Sequence, residues 1–280
     1  MKRLGINITL ALLILGGIWW YLSPNYSLQN FVSQYVENGE FLTLEARYSA
    51  QQIMESKRKE LLMDEQHTYL EPSLRFHPFL LIDVKYTSTD KKTKEGVILW
   101  SLNNGEMVLN TETWETTHGF EDAINAGATR EDFKIINALA RNNGMIGLDK
   151  LQKELHLERD VVESWIQNAK DKHLVIRKGN DIILHFQNPK ILVSPQTKIS
   201  HWLVTKPYNH AQRISRNYSS GQIERIAKAA FGSDFAIRNV TEVYLPVYQI
   251  DVLNPDGSIR SSSWNALTGQ LMTPKYLMAS

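Results

Sequence analysis

The 280-residue chain contains no cysteine and has almost no net charge. The missing cysteines exclude disulfides, thiolate metal ligands and a cysteine nucleophile. The formal net charge of +1 gives no overall attraction to nucleic acid or to an acidic substrate. Any charged partner must therefore be met by a local patch of the surface.

Catalytic motifs are missing as well. The sequence has no Gly-x-Ser-x-Gly elbow, no glycine-rich phosphate loop and no dinucleotide fingerprint. Its eight histidines show none of the spacings that are typical of a metal site. We therefore predict a protein that is not an enzyme and has no catalytic residue, no metal ligand and no cofactor.

A long apolar run is present near the N-terminus, from Leu4 to Leu22. As a helix it would be about as long as the ~30 Å hydrocarbon core of a bilayer. Lys2 and Arg3 precede the run and the next basic residue is Arg47, so the positive-inside rule leaves the N-terminus in the cytoplasm. The sequence predicts a single-pass anchor in a bacterial inner membrane, with the lipid bilayer as its partner and the bulk of the chain in the periplasm. A cleaved signal peptide is the alternative.

Two stretches of the chain resemble one another. Phe76 to Glu106 and Tyr244 to Gln270 each show the pattern of a strand, a turn and a second strand, and both contain Ile-Asp-Val, then a tryptophan, then a glycine. A Ser-x-x-Gln pattern, typical of a capping box at a helix start, precedes each stretch. We predict two related copies of one helix and one β-hairpin, in which matched residues such as Pro78 and Pro246 are structural.

The second copy has Tyr248, Ile250 and Val252 on its first strand and ends in an Ala-x-Thr-Gly turn, Ala266 to Gly269. This pattern resembles PepSY-like α+β modules. The first copy departs from it at the turn, where Leu102 to Gly105 reads Leu-Asn-Asn-Gly. The resemblance implies an extracytoplasmic binding or inhibitory module. The stretches LEARYSAQQIM (44–54) and GVILWSLNNGEMVLNTETWETTHGF (96–120) also resemble uncharacterised single-pass membrane proteins of Chlamydia-like bacteria. This second resemblance does not indicate any particular activity.

Between the copies the pattern changes. From Thr129 the sequence predicts three amphipathic helices and then two β-rich runs around Lys178 to Asp181, an order typical of a winged helix. The predicted fold class is therefore α+β, with an N-terminal transmembrane helix and two helix-plus-hairpin modules around an inserted winged-helix domain. The predicted boundaries are 1–25 for the anchor, 26–127 for the first module, 128–190 for the winged helix and 191–280 for the second module.

The winged-helix segment has nearly equal numbers of basic and acidic residues, so it lacks the positive charge that drives binding to DNA. We expect a membrane-anchored, extracytoplasmic protein-binding or scaffolding protein of the bacterial envelope, with another envelope protein as partner. One alternative is a membrane-tethered winged-helix regulator that reads DNA through Arg159, Gln167, Asn168 and Lys178. Another is a peptidase inhibitor or chaperone that acts through the PepSY-like hairpins.

Asp83 and Asp251 occupy matched positions in the two copies. A pair of carboxylates could perform acid–base chemistry. The alternating pattern of both strands also fits side chains that simply point outward, and this is the interpretation that we adopt.

Overall fold

The computed structural model describes residues 40–88, 90–186, 188–207 and 211–272. These residues form seven helices and thirteen strands. The helices are α1 (Ala50–Ser56), α2 (Arg58–Leu61), α3 (Phe120–Asn125), α4 (Arg130–Arg141), α5 (Leu148–Leu155), α6 (Arg159–Asp171) and α7 (Ser220–Phe231). The strands are β1 (Glu40–Leu44), β2 (Thr68–Tyr69), β3 (Ser73–Thr87), β4 (Thr93–Ser101), β5 (Met107–Asn110), β6 (Glu115–Thr116), β7 (Met145–Gly147), β8 (Val175–Lys178), β9 (Asp181–Leu184), β10 (Leu203–Pro207), β11 (Gln212–Arg213), β12 (Ala236–Leu253) and β13 (Ile259–Asn265).

Ten strands form one large sheet in the order β10-β1-β12-β3-β4-β5-β6, with β11 on β3 and with β2 and β13 on β12. At its centre β3 and β12 run antiparallel, with His77 opposite Leu245 and Pro78 opposite Tyr244. Each of these strands also pairs with the second strand of its own hairpin, β4 or β13. The two hairpins are therefore joined edge to edge through their first strands.

The two copies make equivalent backbone contacts across this junction. The N–H of Tyr218, just before α7, donates to the C=O of Leu102 at 2.9 Å. The N–H of Tyr48, just before α1, donates to the C=O of Ala266 at 3.0 Å. Each helix start is therefore bonded to the turn of the other copy's hairpin.

The helices also pack on the hairpin of the other copy. Helix α7, which precedes β12 in the chain, buries Ile223 in one cluster with Leu80 and Trp100 of the first hairpin. Helix α1, which precedes β3, buries Ile53 in one cluster with Trp264 of the second hairpin. Because each copy completes the core of the other, neither can bury its apolar face alone.

The middle of the chain forms three helices, α4 to α6, followed by the hairpin β8–β9, where the sequence predicts them. Strand β7 adds to β9 and makes a second sheet of three strands. The helices bury Phe133, Leu151 and Ile166 in the same cluster as Trp100 of the first hairpin. This segment therefore extends the core under β3 and β4.

The predicted fold class is corrected in two respects, although the mixed α+β content agrees with the structure. No helix within the described ranges is long and apolar enough to cross a membrane, and the predicted membrane segment, Leu4 to Leu22, lies outside the described residues. The two copies are not separate modules, because β3 and β12 pair over most of their length within one sheet. The boundaries at 25, 127 and 190 stay a prediction from the sequence.

Candidate binding surface

Strand β10 lies at one end of the large sheet, and in the described part of the chain no strand pairs with its outer side. The N–H of Glu45 donates to the C=O of Trp202 at 2.9 Å, which extends the antiparallel ladder between β1 and β10. Hydrogen-bonded and non-hydrogen-bonded pairs alternate along such a ladder. The backbone N–H and C=O groups of Val204 therefore point towards β1, whereas those of Leu203 and Thr205 point away from it.

Apolar side chains lie at the start of this open edge. Trp202 is 77% exposed and Leu203 is 39% exposed, whereas Trp100 in the core is fully buried. At the other end of the strand, Lys206 carries a positive charge and Pro207 has no backbone N–H. Both features limit unselective pairing of an edge strand. An exposed aromatic ring beside unpaired backbone groups is typical of a contact surface for another polypeptide.

Polar contacts fix the segment that leads into β10. The N–H of Ser200 donates to the hydroxyl of Thr111 at 3.0 Å, and Nδ1 of His201 lies 2.9 Å from the same hydroxyl oxygen. The guanidinium of Arg47 donates to the C=O of Ser200 at 2.8 Å. Burial, followed by the charge of Arg47, lowers the pKa of His201, and Glu112 opposes this effect. His201 is therefore mostly neutral at pH 7. Because these contacts hold Ser200 and His201 in place, Trp202 follows a fixed stretch of backbone.

A second polar cluster lies near the centre of the sheet. The hydroxyl of Tyr244 donates to Glu242 at 2.6 Å, and Arg216 lies 3.4 Å from the same carboxylate. The guanidinium of Arg213 lies 6.0 Å from the ring centroids of Phe41 and Tyr244. Burial, together with the charge of Glu242, raises the pKa of Tyr244. The carboxylate already has a cationic and a phenolic partner, so we regard this cluster as part of the framework.

The DNA-reading alternative names four residues, and two of them lie on one exposed side of α6. Arg159 lies 3.2 Å from the carboxylate of Glu163 and 3.7 Å from that of Asp149. Gln167, two helical turns further on, donates to Asp171 at 2.7 Å. Because acidic groups surround both side chains, this side of the helix is poorly suited to phosphates.

The other two residues lie elsewhere. Asn168 is nine residues from Arg159, or about two and a half helical turns, and so lies on the opposite side of α6. It lines a groove of about 490 Å³ with Trp165, Asp132 and Lys172. Lys178 is the last residue of β8, outside the helix. The structure therefore does not bring the four residues onto one surface, and DNA binding stays an untested prediction.

Asp83 and Asp251 are also far apart. Asn239 lies 3.4 Å from the carboxylate of Asp83, while Gln249 donates to Asp251 at 3.0 Å. Counted along β3 and β12, the two aspartates are separated by about twelve strand residues, or roughly 40 Å. Both are half-buried, and at this separation they cannot share a proton.

Within the described residues, no group of three or more histidine, aspartate or glutamate side chains is arranged to hold a metal ion. No protein-family model, no curated protein and no solved structure matches the chain. The candidate binding surface is instead chosen from the exposure of its side chains beside an open strand edge. It consists of Trp202, Leu203 and the outward backbone of Thr205, and we call it the β10 edge.

Proposed function

We propose that the protein is a non-catalytic binding protein that takes an extended segment of a partner polypeptide as an additional strand along β10. The observation that carries this proposal is Trp202, which is 77% exposed beside the open edge. An added strand receives main-chain hydrogen bonds from the edge, and the aromatic ring contacts its side chains.

The size of the β10 edge sets the expected affinity. Leu203 and Thr205 together offer two donors and two acceptors, because the N–H and C=O of both residues point outward. At a net value of about 1 kcal/mol for each hydrogen bond, these contacts offset only part of the cost of association. Burial of Trp202 adds a few kcal/mol at most. We therefore expect binding in the micromolar range or weaker.

Another protein of the bacterial envelope is the partner that we propose. This part of the proposal is supported by the apolar run Leu4 to Leu22 and the basic residues before it. Fusing a periplasm-active and a cytoplasm-active reporter to the C-terminus tests the location. Activity of the cytoplasmic reporter alone would refute a partner outside the cytoplasm.

The substitution Thr205→Pro tests edge binding most directly. It removes the outward N–H of residue 205 but leaves intact the N–H groups of Val204 and Lys206, which face β1. The probe is a phage-displayed library of random heptapeptides selected on the wild-type chain. Selected peptides should bind Thr205→Pro and Trp202→Ala about tenfold more weakly or worse.

The control is Val161→Ala, which shortens a different exposed apolar side chain, on α6. It should leave the affinity of the selected peptides unchanged. Circular dichroism checks that every variant remains folded. Peptides that bind wild type and Thr205→Pro equally well would refute the β10 edge as the binding surface.

A further inference from the structure

The turns that end the two hairpins have the same backbone. Gly105 and Gly269 adopt φ values of 68° and 66°. Two residues after each glycine, Met107 and Leu271 pair with the tryptophan of the preceding strand. The two turns can therefore be compared position by position.

In the first copy, helix α3 covers the turn. A Cβ added to Gly105 would lie 2.8 Å from Cδ1 of Ile124 and 3.2 Å from the ring of Tyr218. The hydroxyl of Tyr218 donates to Asn125 at 3.1 Å. The carboxylate of Glu106 accepts hydrogen bonds from backbone N–H groups at the start of α3, at 2.9 and 3.2 Å. Tyr218, Gly105 and the carboxylate of Glu106 together form the surface on which α3 packs, and we call this surface the seat of the helix.

In the second copy, the described residues leave the equivalent seat open. Tyr48 is 43% exposed where Tyr218 is 8% exposed. Leu271 is 44% exposed where Met107 is fully buried. Gln270, which is exposed, takes the position of the capping carboxylate. The same backbone and the same aromatic residue are thus covered by a helix in one copy and accessible in the other.

We propose that this second seat, formed by Tyr48, Gly269, Gln270 and Leu271 and here called the Tyr48 surface, binds a short amphipathic helix of a partner polypeptide. Helix α3, with the sequence FEDAIN, indicates the chemistry of this ligand. Its apolar residues recur at positions i, i+3 and i+4. The side-chain oxygen of Asn125 accepts a hydrogen bond from the hydroxyl of Tyr218. The Tyr48 surface is a different site from the β10 edge.

Charge complementarity favours an acidic start for this helix. Arg47, which precedes Tyr48, stands where the first seat has the neutral Asn217. The guanidinium of Arg47 donates to the C=O of Ser200 at 2.8 Å and so keeps its full charge, while the neighbouring Glu112 is paired with Lys198 at 2.9 Å. The first turn of α3, which fills the first seat, carries two acidic residues. A partner helix with the same acidic turn would be attracted to the Tyr48 surface.

The probe is a fluorescein-labelled, hydrocarbon-stapled peptide with the sequence of residues 118–128, which contains α3. It is titrated with the full-length chain in mild detergent and followed by fluorescence polarisation. We expect saturable binding that weakens about fivefold or more in Tyr48→Ala, because a central aromatic contact is lost. Gln270→Glu should tighten binding about threefold, because it restores the carboxylate that Glu106 offers to α3.

Two controls separate this surface from the rest of the protein. Val161→Ala should leave peptide binding unchanged, and so should Thr205→Pro, which tests the β10 edge alone. A further variant uses the absence of cysteine. The peptide carries an N-terminal cysteine as a mixed disulfide with 5-thio-2-nitrobenzoate, and the thiolate of Gln270→Cys should displace the nitrothiobenzoate and form the protein–peptide disulfide faster than Val161→Cys does.

The proposal is overturned by any of three results. The first is no saturable binding at millimolar peptide, as would occur if other residues of the chain cover the seat. The second is equal affinity of wild type and Tyr48→Ala. The third is equal disulfide rates at positions 270 and 161. If Thr205→Pro no longer binds the selected heptapeptides but binds the helical peptide normally, the β10 edge and the Tyr48 surface are two separate sites and both proposals are supported.

Discussion

Acidification should destabilise the protein through His77. This residue lies on β3 opposite Leu245, where the two copies are joined, and its Nδ1 is 3.4 Å from the side-chain nitrogen of Asn103. Burial, followed by the charge of Arg75, lowers the pKa of His77 from 6.5 to about 4. The folded protein therefore holds the neutral imidazole over a pH range in which the unfolded chain binds a proton.

The direction of the effect follows from this difference. The stability contributed by neutral His77 is fully present above pH 6.5 and is lost as the pH falls to about 4. A lowering of about 2.5 pKa units corresponds to about 3.4 kcal/mol in the free energy of unfolding. The ring is not completely buried, so we expect a loss of about 2–3 kcal/mol. His201, whose pKa is also lowered by burial, adds a loss in the same direction.

Urea unfolding at about pH 7 and about pH 4.5 measures this loss. In His77→Gln the side chain stays neutral at both pH values, so its pH dependence should be smaller than that of the wild type by about 2 kcal/mol. His185→Gln, which changes an exposed histidine, is the control and should behave like the wild type. Carboxylate titration is common to all three proteins and cancels. Parallel stability profiles for the wild type and His77→Gln would refute the reasoning.

Two further predictions concern the core. Gly105→Ala should cost about 1–2 kcal/mol more than Gly269→Ala, because both glycines have positive φ but only the first has a side chain of α3 within 2.8 Å of the added Cβ. Equal urea midpoints would contradict this. Asp132→Asn should cost about 2–3 kcal/mol, because this carboxylate is only 2% exposed and pairs with Lys172. Glu115→Gln, which breaks an exposed pair, is the control, with an expected cost of about 0–1 kcal/mol; thermal unfolding compares the two, and similar costs would count against the burial argument.

The helix starts were predictable from the sequence because they depend on residues three positions apart. Both Ser-x-x-Gln patterns form capping boxes, at Ser49 and Ser219. The capping of α4 is equally local, since the carboxylate of Asp132 accepts from the N–H of Thr129. The middle helices also lie where their apolar spacing predicts them. Local chemistry was sufficient for each of these elements.

The partner of each helix was not predictable in the same way. Ile53 and Ile223 occupy matched positions, and either could pack on the hairpin of its own copy or on that of the other. The choice depends on the antiparallel pairing of β3 with β12, which brings together residues more than 150 positions apart. Hydrophobic periodicity identifies the buried side of a helix but not the strands that cover it. The sequence therefore predicted the helices and hairpins of the two copies but not the single sheet that joins them.

No pattern in the sequence marks the two candidate surfaces either, because the sequence does not show which elements cover a given residue. Tyr48 and Tyr218 begin nearly identical stretches, YSAQQI and YSSGQI, yet one is 43% exposed and the other 8%. The difference comes from α3, which belongs to neither copy and covers only one of them. Trp202 likewise lies outside both copies, at an edge whose openness depends on the register of β10 with β1. Where one chain contains two matched copies, the candidate binding surfaces are thus defined by what each copy leaves uncovered, and coverage is a tertiary property that the repeat does not encode.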